Sequence, residues 1–391
     1  MGTEWPSRQP DQRAGDKRIE MKNVVVLGAG MVGGAMAADL CHDYAVTVVD
    51  ANRQRGEDLA ARLPVTFIAA DLTQAADVAA AVAPADLVIG AAPGFLGFQV
   101  LATVIAAGKH VVDISFFPED PFVLDDLARQ KGVTAVVDCG VAPGLGNLIL
   151  GYHHAHMEVA SFECLVGGLP VNRLWPWAYK APFSPIDVIE EYTRPARLVV
   201  NGEIIVKPAL SDAELVTLEP VGVLEAFNTD GLRTLLRTIP APNMSEKTLR
   251  YPGHIELIRV LRASGFFDAA PRAFNGVEVR PLDVTAALLL EQWRLAPNEP
   301  EFTIMRVRIS GRVHDEPQTY TYHLYDETDP LTGVSSMART TGYTCTGVAR
   351  LLLDGTFSRV GICPPEMVGA DAACFARVLA HLDARGVHCR R

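Results

Sequence analysis

No apolar run in this chain approaches the ~18 residues that a membrane-spanning helix needs. Basic residues are in deficit: 35 Lys and Arg stand against 46 Asp and Glu, for a formal net charge of -11. No Lys/Arg cluster forms a basic face, which argues against a nucleic-acid partner, and an anionic membrane surface would repel the chain. Cysteines are few and scattered. There are seven, an odd number, at wide spacings and with no C-x-x-C. That excludes a disulfide framework or a structural zinc site and predicts a reduced, cytoplasmic protein. The first twenty residues lack the apolar stretch of a secretion signal. They read as a disordered tail, with Met21 as the original start. Internal repeats and low-complexity tracts are missing too.

What is present is an ordinary globular composition: 49% hydrophobic and 21% charged residues over 391 positions. That length predicts two or three domains. From Asn23 the pattern alternates short β-branched runs with helical stretches. Strands are expected at 23–27, 46–49, 65–69, 87–89, 110–114 and 133–137. Helices are expected at 31–41, 53–62, 74–82, 98–107 and 121–130. This alternation predicts an α/β fold, a Rossmann-type doubly wound parallel sheet covered on both faces. The rhythm changes after residue 143. A helix over 145–157 precedes longer irregular stretches, then a hairpin formed by 302–309 and 319–325. Residues 144–334 therefore read as an α+β second domain. Helical patterns at 335–353 and 370–384 follow, the first closed by Gly355.

Gly28, Gly30 and Gly33 fill the glycine positions of G-x-G-x-x-G. A strand precedes them, a helix follows, and Asp50 ends the second strand, the context a dinucleotide fingerprint requires. The first glycine permits the turn. The second admits a pyrophosphate above the helix N-terminus, where Met31 and Val32 begin, and the third lets helix and strand approach. Asp50 would accept the ribose hydroxyls and repel a 2′-phosphate, which favours NAD over NADP. Arg53 and Arg55 follow it and read as a solvated helix start. Asp71 fits equally well facing the adenosine or capping the next helix. Ala91, Ala92 and Pro93 after the fourth strand are small enough for a cofactor to pass over.

Three blocks carry a family resemblance: D-C-G-V-A-P-G-L-G-N at Asp138–Asn147, E-A-F-N-T-D-G at Glu225–Gly231 and K-T-L-R-Y-P-G-H at Lys247–His254. The chain resembles saccharopine dehydrogenase-like reductases, and the last two blocks resemble the lysine 6-dehydrogenase branch, over about Met21 to Val387. The resemblance implies a Rossmann domain (21–143) completed by the C-terminal segment (335–391), with the second domain inserted between them. It further implies NAD-dependent oxidation of the ε-amine of L-lysine to 2-aminoadipate 6-semialdehyde, which cyclises. One loop departs from the pattern. Lysine dehydrogenases carry a D-L-G-G-H-like stretch where this chain has D-I-S-F-F-P-E-D, Asp113–Asp120. A different amine is therefore open as substrate.

Hydride transfer belongs to the cofactor, so the protein must supply a neutral amine and a place for the rest of the substrate. Asp113 and Asp138 end strands on the cofactor side, and either is a candidate base or amine anchor; each also reads as a loop or helix cap. Lys247, Arg250, Tyr251 and His254 surround Pro252-Gly253. Arg250 is the candidate carboxylate partner and His254 a candidate proton relay, against the alternative of a turn with a basic flank. Glu225 and Asp230 are candidates for an α-amino group. Gly167 and Gly168 suggest close backbone approach. A saccharopine-type reductase would need further carboxylate partners, for which Arg194 and Arg197 are candidates. A non-catalytic NAD-binding dimer is the remaining alternative. His153, His154 and His156 lack complementary ligands, so no metal is expected. Cys139 reads as packing. The 302–325 hairpin suggests a homodimer, with a small-molecule amino-acid substrate as the other partner.

Overall fold

The computed structural model describes residues 21–181, 185–296 and 299–391; the expected tail lies outside these. Strands and helices alternate through the first part: β1 (Asn23–Leu27), α1 (Met31–Leu40), β2 (Ala45–Asp50), α2 (Arg53–Arg62), β3 (Thr66–Ala69), α3 (Ala75–Val82), β4 (Leu87–Gly90), α4 (Gly94–Ala106), β5 (His110–Asp113), α5 (Asp125–Gln130) and β6 (Thr134–Val136). The expected helix over 121–130 begins as a 3₁₀ turn, Pro121–Leu124, because Pro121 opens it under an Asp120 cap. The helix expected from Phe98 starts earlier, at Gly94, directly after Pro93.

The second part runs α6 (Leu145–His154), β7 (Glu158–Pro170), α7 (Pro185–Thr193), β8 (Ala196–Val200), β9 (Glu203–Lys207), β10 (Glu214–Leu218), β11 (Gly222–Asn228), α8 (Leu235–Thr238), β12 (Asn243–Arg250) and α9 (His254–Ala263). It continues through β13 (Arg272–Phe274), β14 (Val277–Val279), α10 (Pro281–Trp293), β15 (Glu301–Val313) and β16 (Glu316–Glu327). The chain ends with α11 (Ser336–Leu353), β17 (Gly361–Ile362), α12 (Pro365–Gly369), α13 (Ala372–Asp383) and β18 (Cys389–Arg390).

Two large sheets result. The first is seven-stranded and parallel, in the order β17-β6-β5-β4-β1-β2-β3. This is the doubly wound order, with the reversal between β1 and β4. The second is nine-stranded, with the main path β10-β11-β12-β7-β15-β16-β18. In it β12 and β7 run parallel, while their outer neighbours are antiparallel. The C-terminal segment was expected to return as helices. It also adds a strand to each sheet: β17 beside β6 and β18 beside β16. Gly342 lets α11 lie close on α1, since a Cβ there would stand 3.1 Å from Met36 Cγ. One hydrophobic cluster joins α1, α6, α11 and α13 to β7, β15 and β16, so a single core crosses both halves. A second fills the space between the mixed sheet and α7, α9 and α10.

Candidate active site

A cleft of about 1930 Å³ runs between the carboxyl ends of the parallel strands and one face of the mixed sheet. Its volume exceeds the ~300–1,000 Å³ of a single small-ligand pocket. That leaves room for a dinucleotide and a substrate together.

The first wall is backbone. Gly28 has φ +121°, and a Cβ on it would meet the Ala91 carbonyl oxygen at 2.5 Å. A Cβ on Gly33 would lie 2.0 Å from the carbonyl oxygen of Gly28. Around Gly30, by contrast, a Cβ would meet nothing within 4 Å. The first and third glycines are thus packed by the chain itself, and the second opens onto free space at the N-terminus of α1. No acidic residue occupies the first turn of that helix to compete with an anion. Asp50 turns toward the same loop: its Oδ2 accepts from Ala29 N at 2.7 Å and its Oδ1 from Asn52 N at 2.7 Å. Arg55 comes within 3.9 Å of Oδ2. Gly28, Gly30, Met31, Val32, Gly33, Asp50, Asp71, Ala91, Ala92 and Pro93 all line this wall. Asp71 accepts from the backbone and hydroxyl of Thr73, a turn before α3.

The second wall comes from the mixed sheet. β12 exposes alternate side chains to opposite faces. Glu246, Thr248 and Arg250 face the cleft, while Leu249 and Tyr251 enter the second hydrophobic cluster. Lys247 is turned away, donating to Glu214 at 2.5 Å and to the Asp212 carbonyl. Strand alternation therefore splits the cluster expected around Pro252-Gly253. Of Lys247, Arg250, Tyr251 and His254, only Arg250 lines the cleft. Tyr251 donates to the Pro170 carbonyl at 2.9 Å and lies under Arg173.

His254 is also away from the cleft, 2% exposed among Trp177, Tyr179, Tyr192 and Trp293. Its tautomer is fixed by its partners. The Trp177 carbonyl can only accept, so Nδ1 carries the proton, and Nε2 accepts from the Tyr192 hydroxyl at 2.9 Å. That hydroxyl accepts from Arg250 Nε at 3.0 Å, and Arg250 Nη2 reaches Glu191 Oε2 at 2.5 Å. Burial and the neighbouring guanidinium push the imidazole down to about 3. A ring held neutral in a dry pocket orients Arg250 and is no proton relay at neutral pH.

Both strand-end aspartates are likewise withdrawn. Asp138 is 2% exposed, and its Oδ1 accepts from Arg233 Nε at 2.7 Å. Arg233 also donates to the Phe117 carbonyl, so this ion pair ties the β5 and β6 loops to the inserted domain. Asp113 accepts from Ser115 N and Oγ and packs over Gly90, where a Cβ would stand 1.8 Å from its Oδ2. Burial raises it to about 8, yet Ser115 and Phe116, not Asp113, line the cleft. The D-I-S-F-F departure thus places an aromatic ring on the wall, with Arg194 and Arg233 stacked on Phe116 at 4.7 and 4.9 Å.

The two acidic candidates for an α-amino group are committed elsewhere. Asp230 holds Arg197 through two bonds of 2.8 Å, and Glu225 accepts from Gly253 N at the start of α9. Gly167 and Gly168 do line the cleft; a Cβ on Gly167 would stand 2.8 Å from Leu249. Cys139 is fully buried, and burial pushes its thiol up, so it offers no thiolate. His153 stacks on Tyr320 and bonds Tyr322, and the described residues contain no group of three or more ligands for a metal.

Sequence reasoning missed Glu246. It is 4% exposed, lines the cleft and makes no side-chain hydrogen bond or ion pair among the described residues. Burial is the main cause that raises it to about 8, reinforced by Asp230, Glu191 and Asp138 and opposed by Arg233. Gly231 is there to make room: a Cβ would stand 1.7 Å from Glu246 Oε1. The signal was the polar set Glu246, Thr248 and Arg250 at every second position, immediately before and within the third motif block.

This geometry defines a class: a Rossmann-type dinucleotide-binding protein whose inserted sheet closes the cofactor cleft. Residues 24–136 match the model of the saccharopine dehydrogenase NADP binding domain, and residues 140–387 match that of the saccharopine dehydrogenase C-terminal domain. The chain belongs to the saccharopine dehydrogenase family. It is 29% identical to saccharopine dehydrogenase [NADP(+), L-glutamate-forming] of Pyricularia oryzae, over 65% of this chain and 60% of that protein. Thus it spans less than two thirds of that relative's length. It is 22% identical to the carboxyaminopropylagmatine dehydrogenase of Synechocystis, over 90% of this chain and 94% of that protein. The apo saccharopine dehydrogenase (L-Glu forming) of Saccharomyces cerevisiae shares the fold: TM-score 0.76 and 22% identity, covering 94% of this chain and 99% of that one.

Proposed function

We propose that this chain is a nicotinamide-dependent oxidoreductase acting on the CH–NH group of an amino acid. One observation carries the reading: a single cleft joins the glycine loop and strand ends to the polar face of β12. The family and its oxidoreductase relatives support it. When bound, the nicotinamide supplies the hydride chemistry at the carbon bearing nitrogen. The chain's own residues do the rest. Gly28, Gly30 and Gly33 with the α1 N-terminus hold the pyrophosphate, and Asp50 receives the ribose. The Asp50 carboxylate stands where a 2′-phosphate would bring negative charge, so NAD is the proposed cofactor, although the Pyricularia relative is named for NADP(+).

L-Lysine, oxidised at its ε-amine, is the most concrete substrate. The relatives' names favour secondary amines such as saccharopine, but one observation weighs against a substrate with several carboxylates. Arg197 is taken by Asp230, Arg194 pairs with Glu190, and neither lines the cleft. Among the described residues, Arg250 and Arg294 are the cations on the second-domain side of the cleft, and Arg250 is already bonded to Glu191. An amine with one carboxylate fits that supply.

The test follows absorbance of reduced cofactor with NAD or NADP and L-lysine, L-ornithine, L-saccharopine and related diamines. Turnover of lysine with NAD and release of ammonia is the expected result. Turnover of saccharopine alone would replace the lysine reading, and failure with every amine would end the oxidoreductase reading. A homodimer built on the outer edge of β16, left open beyond its short pairing with β18, is proposed as the assembly. A monomeric mass by light scattering would reject it.

A further inference from the structure

Glu246 needs an explanation that the rest of the cleft does not supply. A carboxyl at 4% exposure that bonds no donor among the described residues is costly, and most such groups in folded proteins have a partner. Its titratable neighbours come from the elements around it: Glu191 of α7, Asp230 after β11, Asp138 after β6, Arg233 before α8, and the neutral thiol of Cys164 on β7. Three of these are carboxylates, and Arg233, the one cation, is bonded to Asp138. Arg250, two residues along the same strand, is bonded to Glu191. Among the described residues no ion pair reaches Glu246, while its carboxyl lines the cleft beside Thr229 and Thr248, whose hydroxyls bond each other at 3.0 Å.

We propose that Glu246 receives the substrate's cationic nitrogen and is the catalytic residue that takes its proton before oxidation. This rests on the amine-oxidoreductase reading above and assigns the base within it. The step balances within the pair. An N–H bond of the ammonium breaks, an O–H bond forms on the Glu246 carboxylate, and the electron pair stays on nitrogen. The neutral amine can then support loss of hydride from the adjacent carbon to the oxidised dinucleotide. In the reverse direction the C=N carbon is reduced first, and the protonated carboxyl then returns its proton to the amine nitrogen so formed. The substrate class follows: an amine whose ammonium form meets the carboxylate form of Glu246, the state this group reaches above about pH 8. An ordinary carboxylate would be a weak base toward an ammonium of pKa ~10. Burial among other carboxylates moves Glu246 to about 8, closer to that task.

The test compares the full chain with Glu246→Gln and Glu246→Asp. Oxidation by wild type should have a kcat/KM that rises with pH and levels near 8. Glu246→Gln should lose on the order of 100-fold or more in kcat/KM, and the rise near 8 should vanish. Its affinity for NAD, read by fluorescence, should stay unchanged. Glu246→Asp should keep the rise with reduced kcat. A readout independent of turnover is the infrared band of protonated carboxyls. One component should titrate near pH 8, be missing from Glu246→Gln, and diminish when lysine or another active amine is added. Full activity with an unaltered pH profile in Glu246→Gln would overturn the assignment and leave the amine-oxidoreductase reading standing. A carboxyl band indifferent to added amine would overturn it too. Wild-type inactivity toward every amine would overturn both.

Discussion

The two walls of the cleft are built by different means. The Rossmann wall is made of backbone: glycines in close approach, a helix N-terminus and one carboxylate held by two amide N–H groups. The inserted-domain wall is made of side chains, chosen by the alternation of β12 and held from behind by His254, Tyr192 and Glu191. At Gly28 and Gly33 the backbone wall tolerates no added atom, whereas a side-chain wall tolerates substitution on one face and fails on the other. The contrast predicts that cofactor binding and substrate chemistry can be damaged separately.

The largest separation should come from Gly33→Ala. Its Cβ has no room against the Gly28 carbonyl, and NAD affinity should fall by on the order of 100-fold, about 2.8 kcal/mol. Fluorescence titration measures this; a change under threefold would break the contrast. Arg233→Met comes next. It strands Asp138, which is buried at 2% exposure, and should cost about 3–5 kcal/mol of stability by chemical denaturation. Adding Asp138→Asn should recover part of that loss, because Asn tolerates the φ of 54° at this position.

A third prediction concerns pH. The His254 folded-state value lies near 3, below its ordinary 6.5. Between those values the unfolded chain binds the extra proton, so this group's contribution is full above 6.5 and is lost as pH falls. The stability difference between wild type and His254→Asn should therefore grow with pH by about 1.4 kcal/mol per unit across that window. A flat difference would mean the imidazole is not held neutral. Asp50→Ser should shift the NAD/NADP preference toward NADP by about tenfold, read from the ratio of kcat/KM values. The smallest effect belongs to Lys247→Ala. The pair with Glu214 lies on the far face of β12, so stability should change by under about 1 kcal/mol, with kcat unaltered. A large loss of kcat would show that the wrong face of the strand had been assigned to the cleft.

The Rossmann half was legible because its determinants are local. A glycine loop, a strand before it and an acidic residue ending the next strand are all encoded within thirty residues, and the turn geometry leaves few alternatives. The inserted half was legible only in outline. Its hairpin, and in the C-terminal segment the long α11, could be read from periodicity, but the C-terminal strands β17 and β18 could not. Each is two residues long and exists only because a partner strand is already in place. The same limit explains the aspartates. Asp113 and Asp138 do end strands, as read, but their carboxyls were claimed by Ser115 and by Arg233, the latter 95 positions away.

By itself the sequence determined the parallel sheet, the glycine cradle and Asp50 at the second strand end. Hydrophobic period, backbone freedom and short-range spacing are properties of neighbouring residues, so the chain need not be folded to display them. Only the tertiary structure decided which charged groups face the cleft and which neutralise one another. It put Arg197 on Asp230, Arg233 on Asp138 and Glu191 on Arg250, and among the described residues it left Glu246 unpaired. Pairing of charges is settled by distance across strands and domains, and burial then sets which state each group holds; neither quantity exists until the two sheets have closed on each other.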